Sequence, residues 1–180
     1  MKKIVITCLI TLFITIGLAY LYDNWYIDYN LRKYSVYYAH NMEHKEGAHP
    51  EMAMALENIK VIHTPASKGI RYDYDGLAKV YNDRNNGNSS SICATYVYGV
   101  EYLYSKSKDR SYIFNSDFSL KAIYDSNTAK MEYEKSDIDE EELYNEVYKN
   151  FGFLVEANVN RKPLINMQKE FNKKYYKRFN

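Results

Sequence analysis

SICATYVYGVEYLYS, residues 91–105, is the stretch that decides the fold, because its residues alternate between two chemical types. Successive side chains of a β-strand point to opposite faces of the sheet, so this period of two predicts a strand. One predicted face carries Tyr96, Tyr98, Val100, Tyr102 and Tyr104, and the other carries Val97, Gly99, Glu101 and Leu103. We therefore expect a β-sheet with one aromatic face.

Shorter strands are predicted on both sides of this stretch. Upstream, GIRYDYDG (69–76) places Ile70, Tyr72 and Tyr74 on one face, and a second strand covers Leu77–Tyr81. NDRNNGNSSS (82–91) predicts a polar loop with a turn at Asn86–Gly87. Downstream, SYIFN (111–115) predicts a strand, and FSLKAIYDSNTAKMEYEK (118–135) predicts a hairpin that turns at Asp125–Thr128. We expect an antiparallel meander of about five short strands.

Helical patterns flank the strands. Pro50 suits the first position of a helix whose apolar stripe contains Met52, Leu56 and Ile59. Near the end, SDIDEEELYNEVYKNF (136–151) predicts a helix with Ser136 or Asp137 as its N-cap. A last helix is expected from Pro163, with Leu164, Met167, Phe171 and Tyr175 facing inward. The fold class is α+β: a curved antiparallel sheet with helices packed on one side.

An apolar run precedes this domain. Lys2 and Lys3 are followed by nineteen residues without charge, Ile4–Tyr22, which is close to the roughly 20 that span a bilayer as a helix. We expect a signal-anchor over residues 1–24, with its amino end in the cytoplasm and one extracytoplasmic domain over 25–180. A cleaved signal peptide is the alternative, because Gly17–Leu18–Ala19 resembles a cleavage site.

Charge and cysteine content narrow the function classes. Without Lys2, Lys3 and Asp23, the chain has 22 basic and 22 acidic residues, so no net charge favours nucleic acid binding. Cys93 is the only cysteine of the predicted domain and is expected to be a buried apolar residue rather than a nucleophile. The charges are also segregated near the end. Residues 132–146 hold eight acids, and residues 161–178 hold seven bases that could face those acids, solvent or anionic lipid.

A possible zinc motif occurs at AHNMEH, residues 39–44. His40, Glu43 and His44 stand in the order H-x-x-E-H, which on a helix would place both imidazoles on one face with a carboxylate beside them. A catalytic zinc site needs three protein ligands, and nothing in the sequence selects the third. An exported zinc metallopeptidase is therefore kept as an alternative. Two exposed histidines on a short helix are the simpler interpretation, and no metal or other cofactor is expected.

The 21 tyrosines are the strongest binding signal. A tyrosine hydroxyl in the core needs a hydrogen-bond partner, whereas an exposed aromatic face marks a binding surface. Both interpretations of the predicted tyrosine face stay open. The candidate binding residues are Tyr72, Tyr74, Tyr96, Tyr98, Tyr102, Tyr104, Tyr112, Tyr124 and Tyr133. A module that stacks cell-wall sugars on these rings is a further alternative.

Two stretches, YVYGVEYLYS and SYIFNSDFSLKAIYDSNTAKMEYEKSDIDEEELYNEVYKNF, resemble the TipC family of immunity proteins. The similarity lies in the alternating strands, a hairpin of the form F-x-L-x-x-x-Y-D…K-M-x-Y-E and the acidic helix start, and it covers roughly residues 91–151. It does not extend to the tail RKPLINMQKEFNKKYYKRFN.

The resemblance implies a role in competition between Gram-positive bacteria. TipC-type proteins lie outside the cell membrane and neutralise LXG-type toxins delivered by type VII secretion, which attack the lipid precursor of the cell wall. By this resemblance the chain would be a membrane-anchored protein without enzymatic activity. It would bind a cognate secreted toxin through a face of its sheet.

Overall fold

The computed structural model describes residues 2–75, 78–85, 88–96, 99–106, 110–132 and 138–180. The helices are α1 (Lys2–Leu21), α2 (Asp28–Lys33), α3 (Ser35–His40), α4 (Pro50–Glu57), α5 (Glu140–Phe151), α6 (Phe153–Val159) and α7 (Gln168–Phe179), with a π-helical segment at Tyr22–Ile27. The strands are β1 (Ile70–Asp73), β2 (Lys79–Asn85), β3 (Asn88–Thr95), β4 (Glu101–Ser105), β5 (Arg110–Phe114), β6 (Leu120–Asp125) and β7 (Lys130–Glu132).

The amino-terminal part is one continuous helix, Lys3–Lys33, which is long and apolar enough to cross a membrane. A signal sequence passes the same test. The side chains are exposed from Lys3 to Leu21, whereas Asn30 and Leu31 are buried in the folded domain. The apolar run therefore continues without a flexible linker into a helix that belongs to the domain.

The strands form a single antiparallel sheet in the order β1-β2-β3-β4-β5-β6-β7. This confirms the predicted mixture of helices with an antiparallel meander. The predicted number of strands is wrong, since there are seven in the described residues rather than about five. Two segments differ from the prediction: one forms two strands rather than one, and the other extends two strands where a loop was predicted.

The first of these segments is residues 91–105, which form two strands rather than one. Ala94 pairs with Tyr102 and Ile92 with Tyr104, so β3 and β4 are the two arms of a hairpin. Gly99 in the connection has φ of 112°, a conformation that glycine adopts readily. The residue numbers of each pair differ by an even number, so the even-numbered residues of both arms lie on the same face of the sheet. The alternation of side chains therefore continues through the turn, and the sequence pattern does not reveal that a turn is there.

The second segment is the predicted polar loop over residues 82–91, most of which belongs to β2 and β3. Asn82 and Ser90 are buried on the inner side of the sheet, and the Asn82 side-chain amide donates to the Asn150 carbonyl at 2.8 Å. Asn82 thus occupies a buried strand position because α5 supplies a hydrogen-bond acceptor. The predicted Asn86–Gly87 turn lies outside the described residues.

The predicted strand at SYIFN and the hairpin turn after Asp125 are confirmed as β5 and the β6–β7 connection, and Pro50 begins α4. The predicted N-cap of α5 is wrong. Asp139 takes this role, and its Oδ1 accepts from the amides of Glu141 at 2.9 Å and Glu142 at 3.1 Å. Ser136 and Asp137 lie outside the described residues.

The last helix begins at Gln168, five residues later than predicted. Met167 and Phe171 are buried and Tyr175 is half-buried, as expected, but Leu164 is 98% exposed, so its predicted inward orientation is wrong. Asn166 accepts from the Gln168 amide through its side-chain oxygen at 3.0 Å, so the helix starts only after Asn166. Residues 161–167 therefore form a loop on the surface.

One hydrophobic core joins the helices to one face of the sheet. The sheet contributes Val80, Ile92, Ala94, Tyr102, Tyr104, Phe114 and Leu120, and the helices contribute Val36, Tyr38, Met52, Leu56, Val147, Phe151, Phe171 and Phe179 among others. We call this side of the sheet the inner face.

Candidate binding surface

Tyr102 and Tyr104 belong to the core rather than to a binding surface. Both are 0% exposed, so their assignment as toxin-binding residues is wrong. The Tyr102 hydroxyl donates to the Glu57 carboxylate, and the Tyr104 hydroxyl donates to Glu146 Oε1 at 2.6 Å. Burial and these carboxylates raise the pKa of both phenols. Carboxylates from α4 and α5 therefore satisfy the buried hydroxyls, which is the physical reason that two tyrosines are tolerated here.

The remaining predicted tyrosines do not form one surface. Tyr72 and Tyr112 are half-buried on the inner face, where the Tyr72 hydroxyl donates to the Pro65 carbonyl at 3.0 Å. Burial raises the pKa of Tyr72 to about 12. Tyr74 and Tyr96 are 43% and 57% exposed. Tyr98 and Tyr133 lie outside the described residues.

The opposite side of the sheet is the better candidate surface, and we call it the open face. Its central row is formed by neighbouring strands through the pairs Cys93–Leu103, Leu103–Ile113 and Ile113–Ala122. The next row contains Arg71, Tyr81, Ser91, Ser105, Ser111, Tyr124 and Met131. None of these residues belongs to the core cluster under the helices, as far as the chain is described, although Cys93, Ala122 and Ser91 are buried. Of the two interpretations of the tyrosine face, the structure supports the core-facing one, since Tyr102 and Tyr104 lie under the helices and Leu103 lies on the opposite face.

The open face is amphipathic. Leu103, Ile113, Tyr81 and Tyr124 are all half-buried, so parts of their apolar surfaces reach solvent. The Tyr81 ring lies 4.4 Å from the Arg71 guanidinium carbon and 5.0 Å from Lys79 Nζ. An apolar centre with a Tyr81 ring held between two cations is the kind of surface at which protein interfaces place their strongest contacts.

Among the predicted binding tyrosines that the structure describes, Tyr124 alone lies on the open face. Sequence reasoning missed Tyr81, Leu103 and Ile113. A usable signal was present, because Ser91, Ser105 and Ser111 are small polar residues that occupy the same face as Leu103. Three adjacent strands with serine on one side indicate that this side meets solvent, whereas the tyrosine side needs the helices.

The predicted zinc helix does not exist. α3 ends at His40 and Asn41 is its C-cap, so Glu43 and His44 follow after the helix. His40 Nδ1 contacts Glu51 Oε1 at 3.2 Å, and His44 Nδ1 contacts the Lys45 carbonyl at 3.1 Å. No group of three or more potential metal ligands occurs in the described residues. The one-face geometry on which the peptidase hypothesis depended is therefore absent.

A cavity of about 590 Å³ lies between the start of α4, the β5–β6 connection and the start of α5. Phe114, Phe118, His49 and Tyr144 are among its lining residues. The His49 ring stacks on Tyr144 with 3.3 Å between ring centroids and meets Phe118 edge-on. Burial among these rings lowers the pKa of His49 to about 4.

The lowered pKa of His49 predicts that the folded protein loses stability in mild acid. The pKa of His49 is about 4 when folded and about 6.5 when unfolded, so the unfolded chain takes up the proton first. Stability is full above pH 6.5 and falls as the pH drops toward 4. Between pH 7 and pH 5 we expect a loss of at most about 2 kcal/mol in the free energy of unfolding, measured by urea unfolding in detergent.

The control for this prediction is a pair of variants. His49→Phe keeps an aromatic ring on Tyr144 but removes the titration, so its stability should change much less between pH 7 and pH 5. His63→Ala, at an exposed position, should retain the wild-type dependence. An unchanged pH dependence in His49→Phe would contradict the assignment.

The basic helix α7 uses two of its cations inside the domain. Arg178 pairs with Glu57 of α4, and Lys174 Nζ lies 3.1 Å from Asp28 Oδ1 of α2. The acidic partners of these two cations therefore belong to α4 and α2, outside the acid-rich residues 132–146.

Comparison of the chain with protein-family models, with curated proteins and with solved structures gave no match.

Proposed function

We propose that this chain is a membrane-anchored extracytoplasmic immunity protein that binds and neutralises a cognate LXG-type toxin delivered by type VII secretion. The observation that carries the proposal is the open face, where half-buried Leu103 and Ile113 are flanked by Tyr81 and Tyr124. The resemblance of residues 91–151 to TipC-type proteins gives the partner class. A binder of this kind acts by covering its target and needs no chemistry of its own.

The size of the open face fits part of a protein interface. Seven strands about 4.8 Å apart and five residues long give a face of roughly 30 Å by 16 Å, or about 500 Å². A standard interface covers about 800 Å² on each partner, so a bound toxin must also contact loops beyond the sheet.

The proposed membrane topology follows from the first residues. Lys2 and Lys3 precede the apolar helix, and positive residues stay on the cytoplasmic side, which places the domain outside the membrane. An anchor that continues directly into α2 would hold the domain close to the membrane. A toxin that attacks a lipid-linked wall precursor would act in this same layer.

The test uses the full chain in membranes of the source strain, with cross-linking to identify the bound secreted protein. That protein is then expressed with and without the chain, and surviving colonies are counted. We expect survival with the wild-type chain, and a loss of protection with Leu103→Arg and with Ile113→Arg. Each arginine should weaken binding by about 30-fold or more, as expected for a contact at the centre of an interface.

The matched control is Tyr96→Arg, which places the same cation at an exposed position outside the open face. It should protect like the wild type. If Tyr96→Arg abolishes protection while Leu103→Arg does not, the open face is not the toxin site. Retention of the chain on purified cell wall, lost in Tyr74→Ala, would instead support the sugar-binding alternative.

A further inference from the structure

The loop at residues 161–167 exposes two adjacent aliphatic side chains to solvent. Leu164 is 98% exposed and Ile165 is 46% exposed. Two basic residues, Arg161 and Lys162, precede them, and no acidic residue occurs between Arg161 and Lys169. Adjacent exposed aliphatic residues among cations form a pattern typical of segments that lie in a membrane interface.

This loop is attached to the helix that leaves the apolar run. The Ile165 carbonyl accepts from the Asn30 side-chain amide at 3.5 Å and from the Tyr38 hydroxyl at 3.3 Å. The Met167 amide donates to the same Tyr38 hydroxyl at 3.2 Å. Lys174, in the helix that follows the loop, lies 3.1 Å from Asp28. The exposed residues therefore sit beside α2 and not at a distant part of the domain.

Helix geometry gives the height of these contacts above the apolar run. An α-helix rises about 1.5 Å per residue and the wider π-helical segment rises less, so Asp28 is at most about 9 Å and Asn30 at most about 12 Å beyond Tyr22, the last residue of the run. The headgroup layer extends roughly 5–8 Å beyond the hydrocarbon on each side of a bilayer. The backbone of Ile165 would thus lie just above the headgroups, within reach of side chains a few ångströms long.

We propose that Leu164 and Ile165 form a second membrane contact, inserted into the headgroup layer of the bilayer that α1 crosses. Lys162 and Lys169 flank these residues and pair with lipid phosphates. The contact fixes the orientation of the whole domain, because the anchor alone leaves it free to tilt. The inference rests on the membrane anchor of the proposed function and not on toxin binding.

Tryptophan fluorescence tests this contact, because Trp25 is the single tryptophan of the chain. The full chain is reconstituted into vesicles of phosphatidylcholine and phosphatidylglycerol that contain brominated lipid, a tryptophan quencher. Leu164→Trp is made in a Trp25→Phe background. It should show blue-shifted emission and strong quenching. The exposure of Leu164 means that the substitution leaves the core intact.

Two reference proteins make each outcome decisive. Asn127→Trp in the same background reports the exposed β6–β7 turn, at the sheet end away from the pocket that Arg32 and Tyr96 line, and it should not be quenched. The wild-type chain reports the anchor through Trp25. If Trp25 is quenched and Leu164→Trp is not, the second contact is wrong and the anchor stands.

If Trp25 is not quenched either, both the anchor and the second contact are wrong, whatever the toxin assay gives. Vesicles of phosphatidylcholine alone provide a last comparison. Weaker quenching of Leu164→Trp in these vesicles is expected from the proposed lysine contacts with anionic lipid. Equal quenching in both kinds of vesicle would overturn that role of Lys162 and Lys169.

Discussion

Replacing Glu57 by alanine is expected to lower the free energy of unfolding by about 3–5 kcal/mol, since it leaves a buried cation without its partner. The Glu57 carboxylate accepts from Arg178 and from the fully buried Tyr102 hydroxyl. Arg178 is 16% exposed, and its Nε also donates to the Ser116 carbonyl at 2.6 Å. One carboxylate thus holds α4, β4 and the last turn of α7 together.

Urea unfolding of the full chain in detergent, followed by near-ultraviolet circular dichroism, measures this effect. Glu46→Ala, at an exposed position, is the matched control and should change stability by less than about 0.5 kcal/mol. The double variant Glu57→Leu with Arg178→Met should lose less stability than Glu57→Ala, because it removes both charges together. A loss below about 1 kcal/mol in Glu57→Ala would show that the pair is not buried in solution.

Replacing Phe118 by alanine is expected to cost about 3–5 kcal/mol, the usual range for deleting a buried phenylalanine ring. Phe118 is buried in the connection between β5 and β6. Its ring centroid lies 4.6 Å from that of Phe114 and 4.9 Å from that of Tyr102, and it also contacts Tyr144 edge-on. The same ring joins strands β4 and β5 to α5, so its loss leaves a cavity that several elements share.

The left-handed backbone conformation of Phe118 leads to a second prediction about this position. Its φ is 69°, a left-handed conformation that costs a residue with a side chain about 1–2 kcal/mol. Phe118→Gly removes that strain together with the ring, whereas Phe118→Ala keeps the strain. We therefore expect Phe118→Gly to be at least as stable as Phe118→Ala, the reverse of the usual order. Paired urea titrations test this, and a clearly less stable glycine variant would contradict it.

The predicted binding site was only partly recoverable from sequence. Tyr74, Tyr96 and Tyr124 are at least partly accessible, but Tyr102 and Tyr104, for which the sequence left both core and surface open, lie in the core. A period of two identifies a strand and its two faces without saying which face is buried. Tyrosine makes the choice harder, because its ring suits a core and its hydroxyl suits a surface. The hairpin between β3 and β4 was missed for a related reason, since its pairing kept the alternation intact.

The sequence by itself determined the features that depend on neighbouring residues. These are the apolar helix, the period of the strands, the start of α4 at Pro50 and the turn after Asp125, each set by local backbone preferences and side-chain spacing. Only the tertiary structure decided which face of the sheet the helices cover. Glu57 accepts a hydrogen bond from the Tyr102 hydroxyl, 45 residues away in the sequence, and Glu146 accepts one from the Tyr104 hydroxyl, 42 residues away. A tyrosine hydroxyl can be buried without a large cost only where another element supplies a hydrogen-bond acceptor. The local sequence of the strand does not show whether such an acceptor is present.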